Sequence, residues 1–136
     1  MRIEDLMIND WVFNTHNNKP EQVQEILTVN NCYDGNSVML DYNDIYNEDD
    51  IEPILLTPEI LEKNGYIFDS KETNKLKDIM PNTNMYKFPL GVGFYIEHNT
   101  IKNTYVLSDH GWIQMKYVHE FQHLLKLCGI DKQIVL

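Results

Sequence analysis

The chain has 136 residues, 43% of them hydrophobic, enough for one compact domain or two very small ones. Its 21 acidic and 11 basic side chains give a formal charge of −10, a surface that repels phosphate and disfavours ordinary nucleic-acid binding. The acidic start Met1-Arg2-Ile3-Glu4-Asp5-Leu6 excludes a secretory signal peptide as written, and no run approaches the ~20 apolar residues of a membrane span, so a soluble, cytoplasmic protein is expected.

In chain order, Ile8–Phe13 reads as a turn entering a strand, with Trp11 a core or rim aromatic. Thr15–Pro20 is a loop rich in turn formers. Residues 21–30 have both helical spacing and flanking turn signals, and strand is the better reading. Asp34-Gly35 marks a hairpin, Ser37–Tyr42 the returning strand, and Ile51–Leu56 another strand with Pro53 at an edge. Thr57-Pro58-Glu59 starts a helix and Asn64-Gly65 ends it.

Residues 69–84 are polar and read as a loop with one helical turn. Strand character returns over Met85–His98, around Gly91 and Gly93, and over Thr104–Asp109, with Asn99–Asn103 a turn between them. Gly91 and Gly93 mark a bend or close packing, since the longer glycine pattern of a phosphate loop is missing. Asp109-His110-Gly111 is a further turn, Trp112–Met115 a short strand, and 116–128 the last helix, stopped by Gly129.

These elements predict an α+β fold. Residues 1–56 form a small SH3-like antiparallel barrel. A short helix links it to an α+β subdomain, 57–136, whose second antiparallel sheet is packed by the helix 116–128.

That helix spells His119-Glu120-Phe121-Gln122-His123. Two histidines four apart on one helical face are the zinc-ligand spacing of metalloproteases, with the glutamate as general base on metal-bound water. At 100° per residue, Tyr117, Val118, Phe121, Leu124, Leu125 and Cys128 make a continuous apolar stripe, and His119 and His123 fall opposite it, towards solvent. A third ligand is also missing from the usual places, since Lys126 and Gly129 replace the glycine and histidine of the extended motif. Asp131, His98, Asp109, His110 and His16 are the remaining donors, and no spacing selects among them. The expectation is therefore no catalytic residue and no metal. The alternative is a small zinc-dependent hydrolase with His119 and His123 as ligands and Glu120 as base.

The stretch 41–52 holds six carboxylates. It fails as an EF-hand because Ile45 occupies a ligand position and Tyr46 the glycine position. It reads as a solvated acidic loop, and Tyr42, Tyr46, Asp49 and Asp50 as candidate contacts for a protein partner. Such acidity also admits a third function, inhibition of a basic nucleic-acid-binding protein. Cys32 and Cys128 are far apart and are expected to be reduced and partly buried. No cofactor is expected.

The stretches "INDWVFN", "KPEQVQEI", "IEPILLTPEILEKNGY" and "YVHEFQHLLKLCGID" resemble a group of small uncharacterised proteins of gut anaerobes and their phages or mobile elements. The group's last helix has the form Tyr-Val-His-x-Leu-Gln, met here by Tyr117, Val118, His119 and Gln122, with Phe121 in place of leucine. The resemblance implies a mobile-element context. It also implies variation at the positions of Glu120 and His123, against zinc chemistry. The function expected is that of a non-catalytic binding or accessory protein with an unknown protein partner, without nucleic-acid or membrane contact.

Overall fold

The computed structural model describes residues 1–27, 36–88, 95–108 and 110–136, with side chains at 110–112 left aside. In chain order its elements are β1 (Trp11–Asn14), β2 (Lys19–Gln22), β3 (Glu25–Leu27), β4 (Ser37–Met39), β5 (Ile45–Asn47), β6 (Ile51–Pro53), α1 (Pro58–Lys63), β7 (Ile67–Phe68), α2 (Ser70–Leu76), β8 (Thr83–Lys87), β9 (Tyr95–Asn99), β10 (Thr104–Leu107), β11 (His110–Met115) and α3 (Val118–Leu127). The predicted α+β class holds, and all the sheets are antiparallel. Two compact units form, Met1–Leu55 with Tyr117–Leu127, and Leu56–Lys116 with Cys128–Leu136.

In the first unit the strands make two three-stranded sheets, ordered β2-β1-β6 and β3-β4-β5. Among the described residues they close no barrel. The single strand expected over 21–30 is two strands in different sheets. Between them Val23 N–H donates to Asp10 O at 2.9 Å and Gln24 N–H to Met39 O at 2.8 Å, so the backbone changes pairing partner within two residues. Val12, Val23, Val38, Leu40, Tyr46 and Ile51 meet in the core with Ile3 and Leu6. Both prolines, Pro20 and Pro53, lie on outer strands, where a missing N–H costs least. The predicted turn at Asp34-Gly35 lies outside the described residues, as do Gly91, Gly93 and Cys32.

α3 groups with this first unit, where it packs on β1, whereas the expectation placed it in the subdomain 57–136. Val118 N–H donates to Ile54 O at 2.8 Å, and Leu55 bridges Tyr117, tying the helix start to the end of the first segment. The apolar stripe showed which side of the helix goes inward and carried no information about which sheet receives it. Cys128, expected on the stripe, is exposed.

The second unit is a five-stranded sheet, β11-β10-β9-β8-β7, with α1 and α2. α1 begins and ends as its sequence predicts. Thr57 Oγ1 accepts from Ile60 N–H at 3.3 Å, and Pro58 takes the first turn. At the other end Gly65 has φ 88°, Gly65 N–H donates to Glu62 O and Tyr66 N–H to Leu61 O, each at 3.0 Å. That is the paired closure left-handed glycine permits.

α2 exceeds the single turn expected. It is capped by Asp69, whose Oδ1 accepts from Glu72 N–H at 3.0 Å. Asp69 Oδ2 also pairs with Lys87 at 3.0 Å and accepts from Tyr95 O–H at 3.3 Å. The Glu72 amide and Lys87 hold its carboxyl below the usual range. No residue of α2 is buried, so it has no apolar periodicity to read.

Candidate functional site

The His119–His123 stretch occupies the first turns of α3, and four of its five side chains have a clear structural role. Tyr117 precedes the helix, which puts Glu120 at the third helical position. Glu120 Oε2 accepts from Tyr117 N–H at 3.0 Å, the returning half of a capping box. A carboxylate there also meets the positive end of the helix dipole. Phe121 is fully buried. The Gln122 side-chain amide clamps the lead-in to β1, accepting from Trp11 N–H at 3.0 Å and donating to Asn9 O at 2.9 Å.

The histidines are not both turned to water, which corrects the expectation from the apolar stripe. His119 is only 6% exposed, and its Nδ1 is buried without a hydrogen-bond partner. Its ring lies nearly parallel to that of Tyr117, with centroids 5.8 Å apart. His123 is half-buried, and its Nε2 lies 2.7 Å from Oδ2 of the buried Asp10. The same Asp10 oxygen accepts from Met7 N–H at 2.7 Å. The helical wheel failed here because Asn9–Trp11 covers the polar side of the first turns. A buried Asp10 facing a helix was not foreseen. Its only sequence signal is a carboxylate in the turn that precedes a strand, where Asn9-Asp10 is ordinary turn chemistry.

The arrangement has partial likeness to a metal centre. The two imidazoles are neighbours, with centroids 5.8 Å apart and planes at 74°. His123 Nε2 is directed at a carboxylate, and Glu120 is directed at a backbone amide. Among the described residues no three His, Cys, Asp or Glu side chains come together to hold a metal ion. His98, one of the upstream candidates, stacks on Tyr105 in the five-stranded sheet at 4.3 Å and shares a 2.9 Å hydrogen bond with Asn103. His16 is exposed beside Tyr46. Asp109 and the side chain of His110 fall outside the described residues.

Two outcomes follow from this geometry. Glu120→Ala should destabilise the first unit by on the order of 1 kcal/mol, and Glu120→Gln by much less, because its amide oxygen still accepts. Thermal denaturation of both variants checks the order. His119 is held below its ordinary value of 6.5, chiefly by burial. The unfolded imidazole therefore takes a proton before the folded one. Stability from the neutral ring is complete above pH 6.5 and declines below it until the folded group titrates. His119→Phe should flatten that acid slope in denaturant titrations across pH; an unchanged slope would show that the ring contributes nothing to it.

The acidic stretch separates into two kinds of carboxylate. Asp41 accepts from Gln22 N–H and Gln24 Nε2, Glu48 from Ile3 N–H at 3.0 Å, and Asp50 closes a capping box with Asn47. These hold the fold. Asp44, Asp49 and Glu52 are exposed. Tyr42 is 80% exposed at φ 74°, with the Lys19 ammonium 4.4 Å from its ring centre. Tyr46, taken above as a partner contact, is instead a core residue whose hydroxyl accepts from Asn17 Nδ2 at 2.8 Å. It alternates inward on β5, a strand too short to read among the surrounding carboxylates. No helix is long and apolar enough to cross a membrane. Comparison of the chain with protein-family models, with curated proteins and with solved structures returns no match.

Proposed function

We propose that the protein is a non-catalytic binding or accessory protein whose partner is a basic protein. The observation that carries this reading is Glu120. The residue that would serve as general base has a carboxylate oxygen 3.0 Å from the Tyr117 amide, where it accepts at the start of the helix. The partner-facing surface is the turn around Tyr42, with Ile45, Asp44 and Asp49, where an exposed ring and an exposed aliphatic lie among exposed carboxylates. A small SH3-like character of the first unit and a phage or mobile-element setting belong to the same proposal.

The test is capture from the source organism by untagged wild-type protein immobilised on resin, beside a Tyr42→Ala/Asp44→Asn/Asp49→Asn variant. The reading expects a basic protein that the wild type retains and the folded variant loses. Equal retention, or loss of nothing basic, would sink it.

A second reading, a small zinc-dependent hydrolase, is favoured by the buried His119 Nδ1 that has no partner. It requires stoichiometric zinc in protein purified without a His tag, lost in His119→Ala. Metal-free protein of unchanged thermal stability would exclude it. Inhibition of a basic nucleic-acid-binding protein is the narrower form of the first reading, marked by competition with nucleic acid that weakens as salt rises.

A further inference from the structure

The last residues of the chain are held in the second unit as a bound peptide would be. Residues 130–136 have no regular secondary structure, and burial alternates through them: Gln133 and Val135 are exposed, and Ile134 between them is 2% exposed. Their anchor is the side-chain amide of Asn64, at the end of α1 and itself 4% exposed. Asn64 Nδ2 donates to Val135 O at 2.7 Å, and Asn64 Oδ1 accepts from Val135 N–H at 2.9 Å. Nδ2 also donates to Ile60 O at 2.8 Å, which fixes the amide's orientation from inside the helix. One side chain thus pairs with both backbone polar groups of a single residue, Val135, as the edge of a strand would. On either side, Lys132 Nζ donates to Asn64 O and lies 5.7 Å from the centre of the Tyr66 ring, and Lys63 Nζ donates to Leu136 O.

From this geometry we infer that the end of α1 is a peptide-recognition cradle whose resident ligand is the chain's own tail. Its chemistry defines what it takes: a segment with a lysine, one spacer residue, then a buried aliphatic, the backbone N–H and C=O of the next residue being read by Asn64. Main-chain recognition makes the cradle tolerant of the spacer residues, while the aliphatic anchor and the lysine give it selectivity. The tail acts as an intramolecular competitor, so a partner peptide binds the intact chain only against its high effective concentration. Gly129, at φ 72° with no atom near an added Cβ, is the joint from which the tail departs. The inference concerns the second unit alone and is independent of the partner proposed for the acidic turn.

The experiment uses the full chain with a protease site inserted between Gly129 and Ile130, folded first and then cut. A fluorescent peptide of sequence Asp-Lys-Gln-Ile-Val-Leu is added, and anisotropy is followed for the cut and uncut proteins. Saturable binding to the cut chain is expected, weaker by about tenfold or more in the uncut one, and absent for a peptide with Ile134→Asp. A cut chain that stays folded by circular dichroism and does not bind, or that binds both peptides alike, would overturn the inference; so would equal binding to cut and uncut protein. If the cut chain unfolds, Asn64→Ala in the uncut chain decides. Hydrogen exchange at the Val135 amide should accelerate at least as much as at any amide of α1, and unchanged protection at Val135 would overturn the cradle.

Discussion

Phe121→Ala is expected to cost about 3–5 kcal/mol, a large part of what a small unit has. Phe121 is 0% exposed at the centre of the buried side of α3, with Val118, Leu124 and Leu125 beside it. Removing its ring leaves a void that tight packing closes only in part. The control is Leu127→Ala on the same helix, which is 82% exposed and should change stability by no more than about 0.5 kcal/mol. Chemical denaturation gives the two values, and hydrogen exchange says where the loss falls. Because α3 groups with Met1–Leu55, protection should fall first in β1 and β6 and not in β8 to β10. A loss confined to the five-stranded sheet would mean that the helix is assigned to the wrong unit.

The second large effect is centred on Glu21, a fully buried carboxylate in β2. Asn14 Nδ2 donates to its Oε2 at 2.7 Å, Asn17 Nδ2 to Oε1 at 3.3 Å, and Lys19 lies 2.9 Å from Oε1. Asn14 does more than this, because its Oδ1 accepts from His16 N–H at 3.0 Å and Asn17 N–H at 3.1 Å, shaping the loop between β1 and β2. Asn14→Ala should therefore cost about 3 kcal/mol, since it strips a buried charge of a donor and a tight loop of its acceptor. Lys19→Met, at a more exposed position, should cost less.

The acid dependence follows from the same network. Burial pushes the Glu21 carboxyl up, but the bonds from Asn14, Lys19 and Asn17 outweigh it and leave the group below its ordinary 4.5. A carboxyl held down in the folded state gives stability that is fully present above pH 4.5 and is lost as pH falls through the folded value. Glu21→Gln should remove that step and cost stability at neutral pH, because its amide nitrogen would face donors. Retention of the acid step in Glu21→Gln would assign it to another carboxyl.

α1 was legible almost to the residue because its ends are written in local chemistry: Thr57 and Pro58 at one end, Asn64-Gly65 at the other. α3 was legible as an element but not in its surroundings. Periodicity placed Val118, Phe121, Leu124 and Leu125 inside, and it equally placed His119 outside, because a wheel carries no term for a loop folded over the opposite side. Asp10 meets His123, and Trp11 meets Gln122, across 111 or more residues of sequence, and no local pattern announces such pairings. β2 and β3 were merged because nothing at Val23-Gln24 signals that hydrogen bonding passes from one sheet to another. The acidic stretch misled differently: Tyr46 is one inward residue in a three-residue strand, too brief for alternation to stand out among its charged neighbours.

The prolines of the first unit have a consequence for life at high concentration. The sheet β2-β1-β6 ends on both sides in a strand that carries one, Pro20 on one margin and Pro53 on the other. Each interrupts the ladder that a stray chain would need to dock and continue the weave, so this sheet is closed to runaway growth from either flank.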